Sequence, residues 1–349
     1  MRRGRLTAVA SASGATPIRR WPVITALGII QILAWGSSYY LTAVLAGPIS
    51  ADTGWSSSWV VGGLSLGLLT AAAASPLVGR LIARYGGRPV LVAGAVLLAV
   101  GQCGIGLAPS LPAFVVAWVV VGLGMAASLY DPAFATLGRL YGAGGRSAIT
   151  TLTLFGGFAS TIYWPLSAFL VSSLGWRGAC LSYAGLQLAV SLPLSLAALP
   201  REASRAVAIA GAANAGTWEL DSGTAGVMLP LLAAVITMAS FISTVLSVHL
   251  LVVLAGKGLT LPAAVALGAL VGPSQVAARV IELAISQRHH PIWTKLATST
   301  FVLTGVTALE VGGPWLTPAL VLYGAGSGWT VSPGERCRSR SSGHDASQS

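Results

Sequence analysis

The sequence predicts an all-α polytopic membrane protein, and three observations carry that prediction. The chain has 349 residues, of which 54% are hydrophobic and 8% charged, whereas a soluble domain carries about a quarter charged residues. Apolar runs recur along nearly the whole length, each near the ~20 residues that cross a ~30 Å hydrocarbon layer. The breaks between runs alternate between arginine-rich and arginine-poor. A membrane barrel would instead show alternating segments of ~10 residues, and none is visible.

Taken in order, residues 1–20 are a basic tail holding Arg2, Arg3, Arg5, Arg19 and Arg20. The apolar run from Trp21 is too long for a signal-peptide core and reads as a retained helix. Spans at 22–46, 58–78, 89–108, 112–133, 148–172 and 178–199 form a first bundle within 21–200. A polar linker at 201–224 follows. Spans at 225–254, 261–284, 293–311 and 315–331 then make an incomplete second bundle of about four helices within 225–331. A break after the sixth helix is the pattern of carriers built from two bundles. Beyond "ALVLYGAGSG" the chain turns into "WTVSPGERCRSRSSGHDASQS". This stretch, 332–349 in its polar part, lacks apolar periodicity and reads as a disordered tail. It points to a reading frame shifted near Ser327–Pro333 or a chain otherwise shortened, with a native polar tail as the alternative.

The net charge of +11 would suggest nucleic acid in a soluble protein; here its distribution accounts for it, and no nucleic-acid partner is expected. Arg80, Arg84 and Arg88 follow span two, Arg139 and Arg146 span four, Arg201 and Arg205 span six, and Arg288 and Lys295 span eight. All fall on the side of the N-terminal tail, and the opposite loops hold only Arg177 and Lys257. This asymmetry predicts a cytoplasmic N-terminus in a bacterial inner membrane. Cys103, Cys180 and Cys337 are far apart and make no disulfide framework. No histidine pair has metal-ligand spacing, so neither a metal nor a cofactor is expected. With nine acids, mostly outside the spans, and four scattered histidines, no cluster of the kind an intramembrane enzyme needs is visible.

The stretch "GRLIARYGGRPV", Gly79 to Val90, joins spans two and three. A phosphate-binding loop would follow a strand and carry the G-x-x-x-x-G-K-[ST] spacing, which this stretch lacks. It resembles the loop between helices two and three of the major facilitator superfamily, G-x-x-x-D-R-x-G-R-[RK]. Gly79, Arg84, Gly86 and Arg88 match, while Ala83 stands in place of the acid and Gly87 in place of a basic residue. "GLGMAASLYDP" (Gly122–Pro132), "GRSAIT" (Gly145–Thr150) and "GWRGA" (Gly175–Ala179) fall where the family has similar stretches. Two further segments resemble its monocarboxylate and oxalate/formate porter branch: "DTGWSSSWVVGGLSLGLL" (Asp52–Leu69), and Ser247–Arg279. In that branch helix eight carries Asp and Arg four residues apart; Gln275 and Arg279 occupy those positions here. The resemblance implies a six-plus-four version of the major-facilitator bundle and secondary transport of a small organic solute, at branch level a carboxylate. Drug or metabolite efflux and a transport-inactive remnant are the alternatives. The implied partners are the solute, the lipid bilayer and protons as coupling ion.

The resemblance makes Gly79, Arg84, Gly86, Arg88 and Asp131 candidates for a cytoplasmic gate. Glycines permit close approach, and arginines bridge carboxylates or helix-end carbonyls. Simple topology explains the same arginines equally well, and Asp131 serves either as an ion-pair partner for Arg84 or Arg88 or as a titrating group. Arg279 is the sharpest binding candidate, because an ionisable group in a span is costly and its planar fork suits a carboxylate. Snorkelling, or an i,i+3 pair with Glu282, competes with that role. Gln31, Trp35, Ser38 and Thr42 share one helical face in span one, with Tyr39 beside it. Such a polar and aromatic face is what a solute cavity needs, although small-residue packing is the plainer alternative. Tyr163 makes a comparable break in span five, and His249 in span seven is either a proton shuttle or a helix–helix hydrogen bond.

Overall fold

The computed structural model describes residues 20–142, 145–201, 222–285 and 291–327. Span one is α1 (Arg20–Ser37) and α2 (Leu41–Thr53); span two is α3 (Ser57–Tyr85); span three is α4 (Gly87–Gly106). Span four is α5 (Leu111–Ser128) with α6 (Tyr130–Tyr141), and span five is α7 (Gly145–Gly157) with the first part of α8 (Ala159–Leu186). At Gly175 the backbone takes φ 70, a conformation that favours glycine, and α8 continues beyond it as span six. A π-helical turn at Gln187–Ser191 and α9 (Leu192–Ala198) complete that span. Span seven is α10 (Ser222–Gly256), span eight α11 (Leu261–Gly268) with α12 (Val271–Ile285), and span nine α13 (Pro291–Val311). Span ten is α14 (Leu316–Ser327), entered through a 3₁₀ turn at Gly313–Trp315. Among the described residues, six stretches are long and apolar enough to cross a membrane, and one of them, Ser147–Ala198, contains spans five and six.

Several helices outrun the spans read from hydropathy. Span two reaches Tyr85 rather than 78, and span four reaches Tyr141 rather than 133. Their last turns, ending in Arg84 and carrying Arg139, are too polar for a hydropathy window yet remain good helix. As a result Asp131 lies ten residues inside the helix end, not at it. The tail at 1–19, most of the linker, His289 and His290, and the segment from 328 onward lie outside the described residues.

Three glycine-lined crossings hold the first bundle. A side chain at Gly124 would meet Leu98 N at 2.8 Å, one at Gly101 would meet Val121 N at 2.8 Å, and one at Gly122 would meet Gly67 O at 2.4 Å. Spans two, three and four therefore pack backbone against backbone, which is how membrane helices associate without a hydrophobic drive between them. At the Arg20 end of the bundle, Val23, Leu27, Ile30, Leu91, Leu137, Leu152 and Leu199 close a second buried cluster.

The helix breaks are the feature that positions the site. Pro132 has no amide hydrogen and its ring excludes the carbonyl four residues back, so the helix parts at Leu129. The Ser128 carbonyl freed there accepts Gln31 Nε2 at 2.7 Å from span one. Pro273 has the same effect in span eight, and the Ala269 carbonyl accepts Thr161 Oγ1 at 3.0 Å from span five. Span one breaks at Ser38–Tyr40, where Ser37 and Ser38 bond back to Leu33 and Ala34 carbonyls at 2.6 Å, a habit that bends helices. Here Gln102 Nε2 donates to Ser37 O and Gln187 Nε2 to Ser37 Oγ, both at 2.9 Å. Broken membrane helices persist only where neighbours satisfy the freed groups, and these side chains do so. Gln31→Leu is expected to strand the Ser128 carbonyl and cost about 1–3 kcal/mol. A lowered unfolding temperature in detergent with unchanged solute affinity would be the sign; loss of affinity alone would assign Gln31 to cargo binding.

Candidate functional site

The breaks turn aromatic side chains inward as a continuous ladder of rings. Trp35 sits 5.1 Å from Tyr130 and 5.2 Å from Tyr39. Tyr39 contacts Tyr40 edge-on at 5.2 Å, and Tyr40 contacts Trp164 edge-on at 5.9 Å. Below Tyr130, the Phe134 ring is stacked at 5.0 Å. Edge-to-face and stacked pairs at these distances are attractive. Two polar groups flank the ladder from the second bundle. Tyr39 Oη donates to Thr244 Oγ1 at 2.9 Å on span seven, and the Arg279 guanidinium of span eight lies near the Tyr130 hydroxyl. Arg279 Nη1 also donates to the Thr153 carbonyl at 2.7 Å, one turn before the C-terminal end of α7, an end that favours a cation.

Arg279 is the end of an antiparallel seam between spans five and eight. Descending toward the Arg20 end, Trp164 abuts Gly268, Thr161 meets Ala269 and Gly272, Gly157 meets Val276, and Thr153 meets Arg279. A side chain at Gly272 would come within 2.1 Å of Thr161 Oγ1 and 2.6 Å of Gly157 O. The seam thus has two polar contacts, at Thr161 and at Thr153, separated by an apolar one.

The candidates named from sequence fall into three groups. Trp35 contacts Tyr130 and Tyr39 in turn, Arg279 lies near Tyr130, and Gln275 lies one turn above Arg279, its Oε1 3.5 Å from where a Gly157 side chain would begin. Gln31 Nε2 and the Ser38 hydroxyl are engaged with backbone, as described above, while Gln31 Oε1 and Thr42 Oγ1 are buried with no partner among the described residues. Tyr163 packs on Gly36 and against Tyr183 at 5.4 Å inside the first bundle, and His249 is exposed. Tyr40, Tyr130, Thr153, Thr161 and Trp164 were not among the sequence candidates; the prolines at 132 and 273 were the available signal, since each marks a break that must be filled.

At the Arg20 end, the expected pairing of Asp131 with Arg84 or Arg88 does not form. Asp131 is exposed and has no hydrogen bond or ion pair among the described residues. Arg84 lies over the Tyr85 ring at 5.0 Å, and Arg88 donates to the Leu196 carbonyl of span six. Gly86, at φ 83, makes the turn, whereas Gly79 faces open space. Arg139 Nη1 donates to the Ala83 carbonyl at 3.3 Å, so an acid at 83 would have a cation at hand. Ala83→Asp is expected to change transport rate severalfold with cargo preference intact, measured by competition between solutes; a changed preference at constant rate would remove this loop from the gate.

The profile of the Major Facilitator Superfamily matches residues 27–346. Monocarboxylate transporter 11 of Mus musculus is 33% identical over 135 residues, 37% of this chain and 28% of that protein. Monocarboxylate transporter 3 of Rattus norvegicus is 32% identical over 177 residues, 48% of this chain and 34% of that protein. The matched part thus spans about a third of the length of these relatives. In fold, the chain is similar to a D-xylose-proton symporter, with a TM-score of 0.66 at 15% identity over 90% of this chain and 80% of that one. The xylose transporter XylE from E. coli, in a partially occluded inward-open conformation, gives 0.64 at 15% identity over 88% and 84%. With a profile match over nearly the whole sequence and a helical architecture to go with it, the chain belongs to the major facilitator superfamily of membrane transporters.

Proposed function

We propose that this protein is a secondary-active carrier that moves a small organic carboxylate across a membrane by alternating access between its two bundles. The observation that carries this reading is Arg279, a guanidinium at the bundle interface, bonded to the Thr153 carbonyl and near Tyr130 at the foot of the aromatic ladder. A guanidinium presents a planar fork of donors that matches a carboxylate, and the ladder offers flat apolar surface to the rest of the solute. The partial likeness to monocarboxylate transporters supports the same cargo class. Protons are the coupling ion in this reading. The arginine asymmetry supports a cytoplasmic N-terminus in a bacterial inner membrane.

Efflux of amphipathic drugs is the second reading, favoured by the length of the ladder and by the amide at Gln275 where the branch has an acid. Cells expressing the full chain decide between them when given labelled carboxylates and amphipathic dyes, with and without a proton gradient. Saturable, gradient-dependent carboxylate uptake is the expected result. Gradient-driven dye expulsion without uptake would establish the second reading, and neither activity at normal membrane abundance would mark an inactive protein.

A further inference from the structure

The bond from Arg279 to Thr153 ties the second bundle to the first, and it uses the same guanidinium that the proposed function assigns to cargo. We propose that Arg279 is a latch opened by the cargo itself: an incoming carboxylate takes Nη1 from the Thr153 carbonyl, and binding thereby unties span five from span eight. The inference rests on the carboxylate reading and adds to it a coupling between occupancy and movement.

Competition for the donor favours the carboxylate. Hydrogen bonds between two ionised partners are about twice as strong as those with a neutral partner, and a carboxylate can engage the fork through two parallel bonds. Losing the arginine strands little on the other side, because Thr153 lies within α7, where a carbonyl also has its intrahelical partner. The seam above the latch resists poorly. Its next contact, Val276 against Gly157, is apolar, and the following polar one, Thr161 with Ala269, lies beyond the break at Phe158. Release at Thr153 therefore lets α12 part from α7 below Gly157, α7 being held in the first bundle by Ala148 and Leu152, while the upper seam stays closed. The Tyr130 hydroxyl lies near Arg279, so the guanidinium stays beside a polar group at the interface during the exchange.

A helix-end cap with no part in transport would make the same bond, so the test must read movement in answer to a carboxylate. Spin labels carried by non-natural amino acids at Ser147 and Ala284, both exposed, report the separation of α7 and α12 in the full chain in lipid nanodiscs. Phenylacetate is the probe and phenylacetamide its uncharged control, with binding followed by tryptophan fluorescence. The expected result is a label distance several ångström longer with phenylacetate and unchanged with phenylacetamide. Arg279→Gln should show the longer distance without any addition, and Arg279→Lys, which keeps the charge but loses the fork, should respond only partly. If Arg279→Gln leaves the distance at the wild-type value, no latch exists. If phenylacetate binds and the wild-type distance does not change, the bond is a static cap. Absence of phenylacetate binding defeats the carboxylate reading and the competition with it, while the Arg279→Gln distance still tells separately whether the tie holds the spans together.

Discussion

Uptake of a labelled carboxylate is expected to fall by about two orders of magnitude or more in Arg279→Gln, at unchanged membrane abundance. Truncating one partner of a buried charge pair costs roughly 2–5 kcal/mol, and 1.4 kcal/mol is a factor of ten. Glutamine is too short to hold the Thr153 carbonyl but keeps a neutral polar group at the interface, so the tie is lost while the surrounding packing, and with it folding, survives. Both the affinity and the maximal rate should drop, because the residue would bind the cargo and respond to it. Undiminished uptake would end its binding role. Selective loss of carboxylates with retained transport of an uncharged solute would locate the defect in charge recognition.

The second large effect is expected at Gly272→Val. A β-carbon there would start 2.1 Å from Thr161 Oγ1 and 2.6 Å from the Gly157 carbonyl. One of those contacts is backbone and cannot rotate away, so spans five and eight must separate. Overpacking of this kind costs about 1–3 kcal/mol, but the functional loss should be greater than the stability loss, because the seam joins the bundles rather than building either one. Uptake more than tenfold down, with a modest fall in unfolding temperature, is the expected pattern. Gly185→Val is the control, since a side chain there meets open space. Equal effects at both positions would mean that the seam has no special part in transport.

Much of the architecture was legible before any coordinates, because the cost of burying charge in lipid leaves a strong pattern: long apolar runs, and arginines held to one side. The spacing of Gly79, Arg84, Gly86 and Arg88 located the family for the same reason. The site was legible only in part. Arg279, Trp35 and Tyr39 stood out as polar or amphipathic groups inside apolar helices, and Trp35 contacts both Tyr39 and Tyr130. Tyr130 and Thr153 did not stand out, since their roles depend on which helix faces which, and a one-dimensional pattern carries no information on partners across a bundle. Gln31 shows how a structural contact stays hidden in a sequence. A buried amide on an apolar face looks like a cargo ligand, yet its nitrogen is engaged by a carbonyl that Pro132, a hundred residues away, sets free. Hydropathy also misjudged the helix ends, because helix continues past the membrane boundary for as long as its residues favour it.

The three buried amides of Gln31, Gln102 and Gln187 carry a mechanical consequence. A helix snapped in the middle is ordinarily a joint, yet span one at its break is bonded to spans three and six, and below it to span four. Each cross-tie lies out of reach of water that could compete for it, so the joint is welded. The first bundle should then turn as a stiff lever, carrying displacement at the Arg20 end undiminished to the Asp52 end. Backbone amides around Ser38–Tyr40 should exchange with deuterium as slowly as those of unbroken helix, while those at Gly156–Phe158, which have no buried amide tie of that kind among the described residues, exchange faster. The compliance of the carrier would then be concentrated in the seam between spans five and eight, beside the arginine that touches the cargo.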